Sequence, residues 1–142
     1  MKVRAAVVSD AGRLAELATQ LGYPSTAEDI RRRLPLVDGD GHCLRVADLD
    51  EGVAGWIHAV HVALLDSDSY VEIKALVVDE QARGRRIGEA LVGEVESWAR
   101  QRGCVAMRVR SNVVRERAHR FYQRLGYEIF KTQRVFAKTL GD

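Results

Sequence analysis

Cysteine is scarce in this chain. Cys43 and Cys104 are the only two in 142 residues, and without a Cys-x-x-Cys spacing they exclude a disulfide framework or a zinc knuckle and read as buried free thiols. Two prolines leave no Pro-rich linker, and the sequence holds no repeat or low-complexity segment, so one domain over residues 1–142 is expected. Long apolar runs are missing as well. No stretch approaches the roughly 18 residues that a membrane helix needs, and the opening MKVRAAVVSDAG lacks an apolar core with a small-residue cleavage site. A cytoplasmic protein with no membrane partner is expected. Nor is there an excess of one charge: Lys plus Arg total 22 against 20 Asp plus Glu, a net charge of +2, which argues against recognition of nucleic acid or an anionic membrane by bulk field. Any preference for anions has to be local.

What is present is periodicity. Residues 3–8 form a β-prone apolar run. Leu14, Leu17, Ala18 and Leu21 then recur at helical spacing, with Ser9 or Asp10 as cap and Gly22 at the end. A second helix is expected after Pro24, capped by Ser25 or Thr26, with Ile30 and Leu34 inward and Arg31, Arg32 and Arg33 as a solvated face. Residues 42–47 and 53–64 read as strands joined by a polar turn at 48–52. The stretch ALLDSDS makes an acidic loop whose Asp66 and Asp68 read as solvated. Residues 70–78 form a long strand, and Ile87, Leu91, Val95 and Trp98 place one buried stripe on a helix that Gly103 closes. Val105, Met107 and Val109 alternate as a half-buried strand. A last helix carries Ala118, Phe121, Tyr122 and Leu125 and ends at Gly126, and residues 127–130 and 135–140 read as two closing strands.

The segment ALVVDEQARGRRIGEALVGEVESWA concentrates three arginines and two glycines between a strand and a helix. A loop that runs into a helix N-terminus is a ready anion site, because the first four amides lack intrahelical partners and the helix dipole is positive there. Gly84 and Gly88 permit close backbone approach, and Arg83, Arg85 and Arg86 can add charge-assisted hydrogen bonds. The Gly-Lys-Ser/Thr of a nucleoside triphosphatase is absent.

This loop resembles the Q/R-x-x-G-x-G/A signature of the GNAT superfamily of acyl-coenzyme A N-acyltransferases, through Arg83 and Gly88, with Arg86 standing where glycine is commonest. The segment SNVVRERAHRFYQRLGYEIF is similar to a second block of that family, through Asn112, Ala118, Phe121, Tyr122, Gly126 and Tyr127. The resemblance covers nearly the whole chain. It implies an α/β fold with a mixed, mostly antiparallel sheet of six to seven strands, helices on both faces, and a parallel pair, 70–78 and 105–110, that splays apart to admit acetyl-coenzyme A. It further implies that backbone groups of Leu76, Val77 and Val78 pair with the pantetheine arm, that the amides of Arg83, Gly84, Arg85, Arg86, Ile87, Gly88 and Glu89 hold the pyrophosphate, and that Asn112 bonds the pantetheine side.

Acyl transfer to an amine needs a free lone pair on nitrogen and a proton for the departing thiolate. No Gly-x-Ser-x-Gly elbow or cysteine nucleophile motif is present, which favours direct attack over an acyl-enzyme. Strict alternation along VEIKALVV places Glu72, Lys74, Leu76 and Val78 on one face and Val71, Ile73, Ala75 and Val77 on the other. Glu72 reads either as a general base whose pKa burial raises or as a strand residue salt-bridged to Lys74; its place 11 residues before Arg83 is where the family's histone-acetylating members carry a base. The resemblance assigns Tyr122 to the cofactor sulfur as general acid, while its place in a packing stripe fits a core aromatic. His58 and His61, three apart on a strand, face opposite sides and do not share a metal; no metal site is expected. The reading is an N-acetyltransferase acting on a primary amine of a small molecule or peptide, with a non-catalytic acyl-coenzyme A sensor as the rival, no nucleic-acid partner, and a homodimer through residues 135–140.

Overall fold

The computed structural model describes residues 1–111 and 115–141. Its elements run β1 (Lys2–Ala5), α1 (Ala11–Leu21), α2 (Ala27–Val37), β2 (His42–Leu49), β3 (Gly52–Val62), β4 (Tyr70–Val78), α3 (Ile87–Gln101), β5 (Met107–Val109) and α4 (Glu116–Arg124). The chain divides into two compact units, Met1–Arg110 and Ser111–Asp142. The first holds the whole sheet, a five-stranded one in sequence order. Its neighbours are antiparallel except for β4 and β5, which are parallel.

Local chemistry sets the ends of the elements. The first strand stops at Ala5, short of the expected residue 8, because the Asp10 carboxylate accepts the Val7 N–H at 2.8 Å and two bonds from Arg4 at 2.9 and 3.0 Å, which turns the chain. Asp10 therefore precedes α1 without capping it by side chain, and Gly22, at φ 110, ends that helix in the left-handed region where glycine carries no Cβ penalty. Thr26 caps α2 as expected, in a reciprocal box with Asp29.

The sheet is covered on both faces. Val46 and Val77 join Leu14, Leu17 and Leu34 of α1 and α2 in one apolar cluster, with Trp56 and Leu44 against it. On the other face, which begins at the next residue along β2, Ala47 pairs with Gly55. A Cβ at Gly55 would lie 2.8 Å from the Val77 carbonyl and 3.4 Å from Ile87 and from Leu91 of α3. The glycine is thus what lets α3 approach the sheet. Ile87, Leu91 and Val95 are fully buried in that contact, while Trp98 is half-buried under the Arg102 guanidinium, 5.0 Å from its ring. Cys43 and Cys104 are buried free thiols.

In the second unit α4 is followed by Gly126 at φ 92, as its sequence indicates. The two closing strands are not found. Residues 127–141 carry no strand assignment, and Ile129, Phe130, Val135, Phe136 and Leu140 are exposed. A strand exists only through its ladder, and this stretch has none among the described residues. Among the described residues the sheet accordingly counts five strands, fewer than the six to seven expected. The fifth is also short: Val105 lies exposed, and only Met107–Val109 pairs.

Candidate active site

The parallel ladder is brief. Val71, Glu72 and Ile73 of β4 pair with Met107, Arg108 and Val109 of β5, and the pairing then stops. β4 continues to Val78, so from Lys74 onward its edge on that side has no strand beside it among the described residues. The sheet forks there and leaves the backbone of Leu76, Val77 and Val78 with hydrogen-bonding capacity along one edge.

A bulge sits at the same point. On the other side of β4, Ala59 pairs with Ile73 and His58 with Ala75, which leaves Lys74 as the extra residue. One inserted residue exchanges the faces of everything beyond it. Strict alternation is therefore wrong for this strand. Glu72 shares its face with Ala75 and Val77, while Leu76 and Val78 lie with Val71 and Ile73.

Glu72 is 4% exposed, one of two buried charged residues among the described residues. Its carboxylate accepts from Lys74 Nζ and, at 3.0 Å, from Arg110 Nε. Burial pushes the carboxyl up, yet hydrogen bonds and charge from Lys74 and Arg110 outweigh it and hold the group below the ordinary glutamate value. The expected upward shift is thus reversed, and of the two roles left open for Glu72 the salt bridge to Lys74 is present. His58 lies nearby on β3. Burial, followed by the charges of His42 and Lys74, lowers its pKa to about 4, and its Nε2 meets His42 Nδ1 at 3.1 Å in a stacked pair. His61 has different company, with Arg102 Nε donating to its Nδ1 at 2.8 Å and Cys104 Sγ 3.5 Å from its Nε2. Asp66 and Asp68 are exposed in their loop.

The arginine loop begins at a fixed point. The Asp79 N–H donates to the Ala54 carbonyl at 2.7 Å. Its carboxylate accepts from the Gln81 N–H at 3.2 Å, from Arg13 Nη2 at 2.6 Å and from Gln20 Nε2 at 3.3 Å. Arg13 Nε also donates to the Val53 carbonyl at 2.8 Å, so α1 grips both β3 and the strand end. Gly84 then takes φ 87. Arg86 takes φ 59 and is the one non-glycine residue with positive φ among the described residues. It occupies the N-cap of α3 without any side-chain cap, so the amides of Ile87, Gly88 and Glu89 have no intrahelical acceptor. The arginine standing at the family's commonest glycine thus adopts the backbone that a glycine would. Arg83, Arg85 and Arg86 are exposed, and Arg85 reaches Glu51 at 2.6 Å. Ile87 is buried at 2% and offers only its amide.

Tyr122 lies half-buried on α4, edge-on to Phe121 with ring centroids 5.0 Å apart and to Tyr127 at 5.7 Å. Burial pushes its phenol up to about 12, which keeps the hydroxyl protonated at neutral pH. Asn112 lies outside the described residues. Sequence reasoning missed the stake at Asp79, the bulge at Lys74 and the pairing of Arg110 with Glu72. It also missed the close approach at Gly55, which alone of these carried a signal, a lone glycine inside an apolar strand.

Comparisons with known proteins agree with this geometry. An aminoalkylphosphonate N-acetyltransferase from Salmonella typhimurium is 44% identical over 57 residues, 40% of this chain and 37% of that protein. The match therefore spans well under half of that relative's length. An aminoglycoside antibiotic 6'-N-acetyltransferase from Acinetobacter haemolyticus superposes with a TM-score of 0.85 at 17% identity, covering 99% of this chain and 100% of that one. A GNAT family acetyltransferase from Staphylococcus aureus gives 0.76 at 22%, covering 98% of each. At such identities the structures speak for the fold alone. The acetyltransferase (GNAT) family profile matches residues 12–127, most of the chain: this protein belongs to the acetyltransferase (GNAT) family.

Proposed function

We propose that the protein moves an acetyl group from acetyl-coenzyme A to a primary amine by direct attack. The observation that carries the reading is the continuity of β4: one strand presents an open edge at Leu76–Val78, runs into the uncapped N-terminus of α3, and buries Glu72 at the fork. Backbone groups of Leu76, Val77 and Val78 suit a strand-like amide arm, and the amides of Ile87, Gly88 and Glu89, with Arg83, Gly84, Arg85 and Arg86 before them, suit a pyrophosphate. Asn112 is assigned to the pantetheine side. When bound, acetyl-coenzyme A supplies an activated thioester; the protein's own residues handle the protons.

Glu72 is the acceptor-side carboxylate. With its pKa held down by Lys74 and Arg110 it is ionised at neutral pH, and it takes the ammonium proton directly or through one water, freeing the nitrogen lone pair. Tyr122, protonated and half-buried, is the donor to the leaving thiolate. Incubation with acetyl-coenzyme A and a panel of amines should release free thiol, with the acetylated product identified by mass. Saturable cofactor binding with no thiol release from any amine would turn the reading to a sensor module.

Tyr122→Phe keeps the ring and removes the donor. If Tyr122 is the acid, turnover falls at least about tenfold while melting temperature and cofactor affinity stay near wild type. An unchanged rate constant would return the side chain to packing alone.

A further inference from the structure

An acceptor has to bring a primary amine to Glu72, and the chain already keeps one of its own there. Lys74 Nζ donates to Glu72 Oε2. In that ion pair the carboxylate side chain is 6% exposed and the lysine side chain 48%, so the amine is open to solvent while the base behind it is not. The placement is built into the strand. Lys74 is the extra residue of the β4 bulge and the first residue past the last ladder pair with β5, so its side chain leaves the sheet where the sheet opens.

The thioester is delivered to the same point. In the function proposed above, the phosphates lie on the first turn of α3 and the arm runs back along Val78, Val77 and Leu76. Its acyl end therefore arrives at the fork. Lys74 is two residues further on, about 7 Å at the rise of a strand, which a lysine side chain spans. The residue type matters as well. An arginine here would hold Glu72 equally well but could not free a lone pair, because its guanidinium is not deprotonated in proteins. We infer that Lys74 is a modification site, and that the protein transfers an acetyl group from acetyl-coenzyme A to its own Lys74. The ammonium gives one proton to Glu72, and the freed lone pair forms the N–C bond. The C–S bond then breaks with its electron pair on sulfur, and loss of a second nitrogen proton balances the protonation of the thiolate. The products are Nε-acetyl-lysine, coenzyme A as the thiol, and one proton passed from Glu72 to solvent. The new amide is neutral, so one of the two positive partners of Glu72 is lost with it. This rests on the proposal that Glu72 is the acceptor-side base.

The test needs no external acceptor. The protein is incubated with acetyl-coenzyme A alone and followed by intact mass, peptide mapping and thiol release. Lys74 should gain an acetyl group at least about tenfold faster than Lys2, Lys131 and Lys138, the other lysines of the chain, because they lack the buried base. The rate per chain should not depend on protein concentration, since amine and thioester meet within one molecule. Glu72→Gln should slow the labelling about a hundredfold. Lys74→Arg keeps a cation beside Glu72 and should remove the label and its burst of thiol, while acetyl-coenzyme A still raises the melt. Labelling of Lys74 no faster than the other lysines, or at a rate that Glu72→Gln leaves unchanged, would overturn the inference. Turnover of propylamine or diaminopropane by the same preparation would then leave amine acetylation standing. Thiol release with neither amine and label on no lysine, with the melt still raised, would overturn the acetylation reading and this inference with it.

Discussion

The chain has two basic clusters, one at the fork and one in the loop that follows the same strand, and they are built on opposite principles. At the fork, Lys74 and Arg110 surround a buried carboxylate, so the site consists of side chains whose charges fix one another. In the loop, Arg83, Arg85 and Arg86 are exposed, and the fixed element is backbone: the uncapped first turn of α3. A site made of amides tolerates changes of side chain and fails when the backbone's approach is blocked. A site made of paired charges fails when one partner is lost. The arginines are the conspicuous feature of the sequence, yet in the function proposed above the amides behind them carry the contact.

The largest expected effect tests the fork. Glu72→Gln should lower turnover by about a hundredfold to ten-thousandfold, the usual cost of losing a general base, while cofactor affinity stays within a few-fold. Activity should partly recover at high pH, where the amine loses its proton unaided. The same variant has a stability signature with a definite sign. Because the Glu72 pKa is held down in the folded protein, the group contributes stability above its unfolded value near 4.3 and loses that contribution as pH falls through the folded value. Melting temperature against pH should therefore drop less steeply below about pH 4 in the Gln variant than in wild type. Full activity at neutral pH would place the base elsewhere.

The next effect tests the loop where it is fixed. Gly88→Asp puts bulk and negative charge beside the first-turn amides and should abolish the thermal shift given by acetyl-coenzyme A, a loss of about 2.7 kcal/mol at a hundredfold excess over Kd. The fold itself should persist, since Gly88 is only partly buried. The smallest effect tests the loop where it is free. Arg85→Ala removes an exposed side chain whose partner, Glu51, is also exposed. Cofactor affinity should fall less than about threefold, with the difference vanishing at high salt, because exposed pairs contribute little and are screened. A tenfold loss from Arg85→Ala would reverse the contrast and make the arginines the principal contacts.

Much of the fold was legible where the pattern is local. The caps at Gly22 and Thr26, the stripe Ile87, Leu91, Val95, and β4 from Tyr70 to Val78 follow from spacing and turn chemistry alone. The features that define the fork were not legible. A bulge is a disagreement between two strands, and no single strand's alternation announces it. The direction of the Glu72 pKa was misread because burial is visible in an apolar run, whereas Arg110, 38 residues away in sequence, becomes a partner only through the parallel pairing of β4 with β5. Residues 127–141 were read as strands from their apolar content. Apolar content, however, supplies half of a strand; the other half is a ladder, and none is assigned to this stretch among the described residues.

The stake at Asp79 bears on the thermodynamics of the loop beyond its geometry. Five hydrogen bonds fix that residue, two of them from α1 side chains, and Arg13 ties the same helix to the neighbouring strand. The entrance to the cradle is therefore preorganised: its ordering entropy is lost when the chain folds, not when a ligand arrives. What remains to be immobilised on binding is the side chains of Arg83 and Arg86, at about 0.5 to 1.5 kcal/mol each. Association at this end of the cleft should accordingly resemble docking onto a standing surface, with little of the heat-capacity change that accompanies coupled folding.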